Sequence, residues 1–242
     1  MKKNKTHIIV WSDFACPYCY IGETRLEKAI EELGIKDEVQ INYRAFELDP
    51  TAPKEVTTTT PERFARKYGL SVEGAKQQIE HISNLGRELG IDFRYMTTQY
   101  SNTRDAHRLM KLAEEKYDRA TVGKLNEALF AAYFTENLVL SDHDVLTAKA
   151  VSVGMDEQEV RGMLASDKYD DEVRFDEREA GMRGVRGVPY FVFNGELAVP
   201  GAMSTDNFRQ ALRREMDKNA DKSAEDISGH AHACGPDGCQ LL

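Results

Sequence analysis

Two of the chain's four cysteines stand two residues apart, in Asp13-Phe14-Ala15-Cys16-Pro17-Tyr18-Cys19. Thiols at this spacing can close a reactive disulfide, supply half of a zinc site, or pack as small apolar side chains. A zinc ribbon needs a second pair. The other two cysteines, Cys234 and Cys239, are separated by four residues rather than two, which fits such a site poorly.

The neighbouring elements weigh on the choice. Ile8 to Trp11 is a continuous apolar run, as expected of a short strand buried on both faces. After the pair, Leu26, Ala29, Ile30 and Leu33 recur at helical intervals and Gly34 follows as a C-terminal cap. Cys16 is thereby expected at a helix N-terminus, where unpaired N–H groups and the helix dipole favour a thiolate over a thiol. Pro17 suits the first turn, which has no use for its missing N–H. Cys19, one turn in, is expected to be more buried, a poorer attacker but a good resolving thiol.

Val39, Ile41 and Tyr43 alternate with polar residues as a half-buried second strand, so the chain opens as a βαβ unit. From residue 60 to residue 182 the pattern is helical only, with start signals at Thr60-Pro61, Ser71, Ser141-Asp142 and Asp156, and one clean apolar face formed by Leu125, Ala128, Leu129, Ala132 and Tyr133. Strand signals then return at Tyr190–Phe193, with Asn194-Gly195 as a two-residue hairpin turn and Leu197 to Val199 as its partner. A last helix is expected from Thr205 to about Met216, capped by Ser204. The apolar signal fades after Asn219, and residues 220–242 read as a mobile tail. The expected organisation is a sheet domain made from residues 1–59 and 183–219 and interrupted by an all-helical domain, 60–182.

Acidic residues number 41 against 32 Lys plus Arg, a formal charge of -9, and no Lys/Arg-rich run is present, which argues against a nucleic-acid surface. The basic start is followed by an apolar run too short for a signal peptide, and no stretch approaches a membrane span. A soluble cytoplasmic protein is expected. In that compartment paired cysteines are more often catalytic, redox-sensing or metal-binding than structural.

Taken together, DFACPYCYIG (13–22), NTRDAHRL (102–109), LFAAYFTENLVLSD (129–142) and GVPYFVFNGELAVPGA (187–202) resemble the thioredoxin-fold DsbA-family oxidoreductases, specifically the FrnE-like branch. The resemblance implies an α/β thioredoxin-like fold with an inserted helical domain, and a protein disulfide oxidoreductase or isomerase needing no organic cofactor or metal. It implies Cys16 as the attacking and Cys19 as the resolving thiol. It places Pro17 and Tyr18 at the substrate surface, together with a Val188-Pro189 cis-proline loop whose Val188 backbone pairs with an extended client. Without the resemblance, Gly187-Val188-Pro189 reads equally well as an ordinary trans turn. Tyr18 is a departure, since Trp is common there in the branch, and the residues between the cysteines help set the reduction potential. Related kappa-class glutathione transferases and chromene-carboxylate isomerases, which act on small hydrophobic substrates, share the fold but typically carry Ser in place of the first Cys. They supply the alternative function.

Expected partners are protein or small-molecule thiol and disulfide clients, with glutathione or a thioredoxin-type protein as the recycling agent. Cys234 and Cys239 resemble a second C-x4-C motif of some FrnE-like proteins. They read either as an auxiliary redox pair on a flexible tether, as metal ligands with His230 and His232, or as an end without a role. Asp13 reads as a modulator of the thiol pair or as a turn-forming cap. His107 reads as a site residue or as an ordinary solvated histidine. His7, His81 and His143 show no partner and are assigned to the surface.

Overall fold

A computed structural model describes residues 5–228. Four strands and a set of helices follow in the order β1 (Thr6–Ser12), α1 (Pro17–Leu33), β2 (Val39–Ala45), α2 (Thr60–Tyr68), α3 (Val72–Arg87), α4 (Arg104–Lys116), α5 (Arg119–Phe134), α6 (His143–Ser152), α7 (Glu157–Leu164), α8 (Asp170–Met182), β3 (Tyr190–Phe193), β4 (Leu197–Pro200) and α9 (Thr205–Ser228). The sheet order is β2-β1-β3-β4. β1 runs parallel to β2 from Thr6↔Val39 to Ser12↔Ala45, as a crossover through α1 requires, and β3 lies antiparallel to β1 and to β4. The Asn194-Gly195 turn has positive φ at both residues, 49° and 75°, the conformation a tight hairpin needs.

The apolar run of β1 is buried on both faces, as its composition requires. Ile8 and Val10 join Leu26, Phe191, Phe193, Phe208 and Leu212 in the main core, while Trp11 packs with Ala180, Val185 and Val192 on the opposite face. The Trp11 Nε1–H donates to the backbone carbonyl of Asp176 on α8, 3.0 Å away.

The helices α2 to α8 interrupt the sheet between β2 and β3, and their start signals act locally. Thr59 and Glu62 close a capping box at α2, and Ser71, Asp142 and Asp156 accept backbone N–H bonds at the starts of α3, α6 and α7. These helices also close the open edge of the sheet. The β2 amides of Tyr43 and Ala45, and that of Glu47 beyond it, donate to the carboxylates of Glu114, Asp176 and Glu177 on α4 and α8. Lys111, itself buried, donates to the carbonyl of Tyr43 and pairs with Asp176 at 2.6 Å. An edge strand that would otherwise invite another chain is thereby occupied.

Two expectations are corrected. The last helix continues past Met216 to Ser228. Residues 217–228 contain neither Gly nor Pro, so nothing in them interrupts a helix, and they carry no apolar stripe to announce one. His143 is not unpartnered, since its Nε2 lies 2.8 Å from Asp105 on α4, a pairing of residues 38 apart that no local pattern encodes. His230, His232, Cys234 and Cys239 lie outside the described residues.

Candidate active site

Cys16 is the N-cap of α1 with extended backbone (φ -95°, ψ 114°), and Pro17 opens the helix. Its N–H donates to the carbonyl of Asp13 at 2.9 Å, and its own carbonyl accepts from Cys19 at 3.1 Å, the first bond of the helix. Cys16 is 4% exposed and Cys19 fully buried. Burial pushes the Cys19 thiol well above its ordinary value, and the nearby Cys16 sulfur and the carboxylate of Glu23 push it the same way.

The chain returns to this point from 172 residues away, where the Cys16 Sγ lies 3.6 Å from the carbonyl oxygen of Val188, within reach of an S–H donor. The Val188-Pro189 peptide is cis. The loop is seated by α1 itself. Arg25 donates to the carbonyls of Ala202 and Met203. Gly22 leaves room for the Pro189 ring, since a Cβ there would stand 3.1 Å from the proline Cγ and 3.3 Å from the Cα of Ala202.

Asp13 is buried three residues before Cys16, and its carboxylate accepts from the amides of Ala15 (3.1 Å) and Leu48 (2.8 Å) and from the Thr103 hydroxyl (2.9 Å). Burial alone would raise its pKa, but His107 and the two amides outweigh that and hold the carboxyl below its ordinary value. His107 is buried, not solvated, with its ring 5.0 Å from that of Phe14 and its Nε2 3.7 Å from Asp13, an ion-pair distance rather than a hydrogen bond. Thr103 stands at the N-cap position of α4 yet makes no side-chain cap there, because its hydroxyl serves Asp13.

One turn beyond Cys19, Glu23 is buried on the same helical face. Its two oxygens accept from the Ser12 hydroxyl on β1 and from Asn126 Nδ2 on α5 (2.6 Å). Burial, only partly opposed by these bonds, pushes its carboxyl up to about 7. A second cavity reaches Glu23 between α1 and α5, with Glu27 and Glu127 also in its wall. Sequence reasoning missed Glu23. A carboxylate in line with Cys19, Leu26 and Ile30 on an otherwise apolar face was the available signal.

On the other side of the thiol pair lies a cavity of about 470 Å³, lined by Cys16, Tyr18, Phe64, Tyr68, Tyr95 and Val188 among others. Tyr18 is 43% exposed at its rim. An aromatic stack joins the Cys segment to the inserted helices, with Tyr20 parallel to Phe130 at 5.0 Å and Phe14 against the same ring. Among the described residues no group of three His, Cys, Asp or Glu side chains is placed to hold a metal ion.

A strand, a thiol pair at a helix N-cap and a cis-proline loop facing it, on a sheet interrupted by helices, define a thioredoxin-like protein of the DsbA type. The profile of the DSBA-like thioredoxin domain matches residues 7–213, and the chain belongs to that family. The uncharacterized protein YwbO of Bacillus subtilis is 27% identical over 214 residues, which span 88% of this chain and 98% of that one. The crystal structure of a probable DsbA oxidoreductase from Streptomyces coelicolor is similar with a TM-score of 0.80 and 35% identity, covering 98% of this chain and 99% of the other. A 2-hydroxychromene-2-carboxylate isomerase, 17% identical, shares the fold at a TM-score of 0.66, with 89% and 98% of the two chains covered.

Proposed function

We propose that the protein is a thiol-disulfide oxidoreductase or isomerase whose working group is the Cys16/Cys19 dithiol. The observation that carries this reading is the 3.6 Å approach of the Cys16 Sγ to the Val188 carbonyl, which sets the outermost sulfur of the pair beside a stretch of backbone that an extended client can pair with. Once its proton has passed to solvent, Cys16 attacks a client disulfide as thiolate, expelling one client sulfur as thiolate and forming a mixed disulfide. Cys19 then gives its proton to the Glu23 carboxylate and attacks the Cys16 sulfur. The second client sulfur leaves as thiolate, and the dithiol has become a disulfide after passing two electrons to the client. Run backwards, the same steps oxidise a client dithiol. Pro17, Tyr18, Val188 and Pro189 form the client surface in this scheme, and Asp13 with His107 supports the loop that carries Cys16.

The FrnE-like assignment, work in the cytoplasm, recycling by glutathione or a thioredoxin-type protein, and an auxiliary redox role for Cys234 and Cys239 belong to the same proposal and rest on sequence. No helix among the described residues is long and apolar enough to cross a membrane.

The test is trapping. Cys19→Ala is expected to accumulate mixed disulfides on Cys16, identifiable by mass spectrometry, and Cys16→Ser to abolish exchange. An empty trap together with undiminished exchange by Cys16→Ser removes the reading. A second reading, transfer or isomerisation of a small hydrophobic substrate, is favoured by the aromatic cavity beside Cys16. Glutathione conjugation that survives Cys16→Ser is its signature.

A further inference from the structure

The exchange chemistry proposed above does not say which disulfides enter the cavity. Resting on that reading, we propose that the cavity beside Cys16 is a binding site for small disulfides bearing carboxylate groups, held by Arg63 and Lys67 of α2.

The argument begins with charge. The chain carries a formal -9, and several of its buried or half-buried cations are held by carboxylates, Arg104 by Glu47 and Asp170, Arg108 by Asp105, Lys111 by Glu114 and Asp176, while Arg25 is held by the carbonyls of Ala202 and Met203. Arg63 and Lys67 differ. Both line the cavity, one helical turn apart on one face of α2, and among the described residues neither makes an ion pair with a carboxylate. The guanidinium of Arg63 lies 3.8 Å over the centre of the Tyr100 ring, and its Nε is buried without a hydrogen-bond partner. Two cations without a carboxylate partner thus stand in the cavity wall beside the proposed attacking sulfur, where they offset the ionised Asp13 and Asp49 of the same wall.

The carboxylates in the same wall are already engaged. Asp49 accepts from the amide (3.0 Å) and hydroxyl (2.7 Å) of Thr51 and from the Tyr100 hydroxyl (2.8 Å). The Thr51 hydroxyl first, with Tyr100 and the more distant charge of Lys67, holds its carboxyl below the usual range. Asp13 is taken up by Ala15, Leu48 and Thr103. Asp49 thus fixes Tyr100, and Tyr100 provides the face on which Arg63 rests. The free edge of the guanidinium and the Lys67 ammonium remain for a ligand, and a planar fork suits a carboxylate.

Size points the same way. A volume of about 470 Å³ falls in the range of small-molecule sites. Cys16 and Val188 line the same cavity, so a carboxylate held at α2 keeps a disulfide in the space that opens on the attacking thiol. Its reduction balances as above: Cys16 and then Cys19 displace the two halves as thiolates, and the dithiol supplies both electrons.

The test compares three disulfides with the reduced full-length protein: dithiodiglycolate (dianion), bis-hydroxyethyl disulfide (neutral) and cystamine (dication). The dianion is expected to react fastest. Lys67→Gln, at an exposed position, and Arg63→Gln are each expected to lower kcat/KM for the dianion roughly tenfold while leaving the neutral disulfide within about twofold, in keeping with the loss of one hydrogen bond to a charged group. A second readout does not need exchange. The rate of Cys16 alkylation by iodoacetate relative to neutral iodoacetamide should fall in both variants. Turnover of all three disulfides at similar rates, or equal losses on all three in the variants, overturns the proposal and leaves the exchange reading intact. No turnover of any disulfide strikes at the exchange reading, and the alkylation ratio then decides the cation site alone: a ratio unchanged by both variants overturns it.

Discussion

At the scale of single residues, the notable group is Glu23. Cys19 is buried and its thiol is pushed well up, so it cannot attack until its proton has somewhere to go. Glu23 lies on the same face one turn on, and its carboxyl, pushed up to about 7, binds and releases a proton near neutrality. Its Ser12 and Asn126 partners keep the acceptor oriented. The expectation is that Glu23→Gln slows the resolving step by roughly a hundredfold, a typical contribution for a positioned base, while the first attack by Cys16 is hardly changed. In the parent protein the resolving rate should rise with pH through about 7, because the carboxylate is the form that accepts. Rapid-quench trapping of the mixed disulfide across pH reads both, and a variant that keeps the inflection removes Glu23 from the mechanism. Cys16 and Cys19 stand out in the sequence by their spacing, whereas the cis Val188-Pro189 bond was expected from the resemblance alone. Glu23 was not, because its meaning comes from burial between β1, α1 and α5.

At the scale of elements, two glycines set how closely segments approach. Gly22 faces Pro189 and Ala202 at 3.1 and 3.3 Å from an added Cβ. Gly22→Val should push the proline loop away from α1, and with it the client surface proposed above away from Cys16. A misplacement of that size is expected to cost roughly tenfold or more in kcat/KM for peptide disulfides, with a smaller loss for reaction of Cys16 with a neutral alkylating agent. Equal losses in both assays would show that the loop is not what the glycine protects. Gly86 on α3 is tighter, since a Cβ there would run into the buried Phe93 ring. Ala normally favours a helix over Gly, by about 1 kcal/mol, yet here overpacking costs about 1–3 kcal/mol. Gly86→Ala should therefore lower Tm rather than raise it, which differential scanning fluorimetry will show. Helix starts and the hairpin were readable because caps and turn residues act within a few positions. Thr103 shows the limit, as a residue at the start of a helix whose hydroxyl is committed to Asp13, 90 residues away.

For the whole molecule, the buried carboxyls tie stability to pH with a definite sign. Glu23 holds its proton up to about 7 in the folded chain against an ordinary 4.5. Between those values the folded state carries more protons than the unfolded state, so stability falls as pH rises, by about 3 kcal/mol for this group over the full window. The groups facing it are Cys19 and Glu27 on α1, Tyr43 on β2 and Glu127 on α5, with Ser12 and Asn126 as its hydrogen-bond donors. Asp13 has the opposite sign. Its folded value lies below the ordinary 3.8, so its contribution is lost only as pH falls below that value, outside the Glu23 window. Urea denaturation at pH of about 5 and about 8 should give a difference that shrinks in Glu23→Gln. An identical difference in the variant would mean that other groups set the slope.

By itself the sequence determined the closely spaced cysteine pair, the strand and helix that hold it, the hairpin that follows and the long helical interruption, since each is encoded by spacing, periodicity, caps or turn residues over a few positions. Only the tertiary structure decided which distant groups surround the sulfurs. Val188 meets Cys16 across 172 residues, Asn126 meets Glu23 across 103, and Asp13 meets Thr103 across 90. The physical reason is that a charge or a hydroxyl acquires a role from what is packed against it and from how much water is excluded. Those quantities arise when helices from the interruption close over α1, and no spacing along the chain contains them.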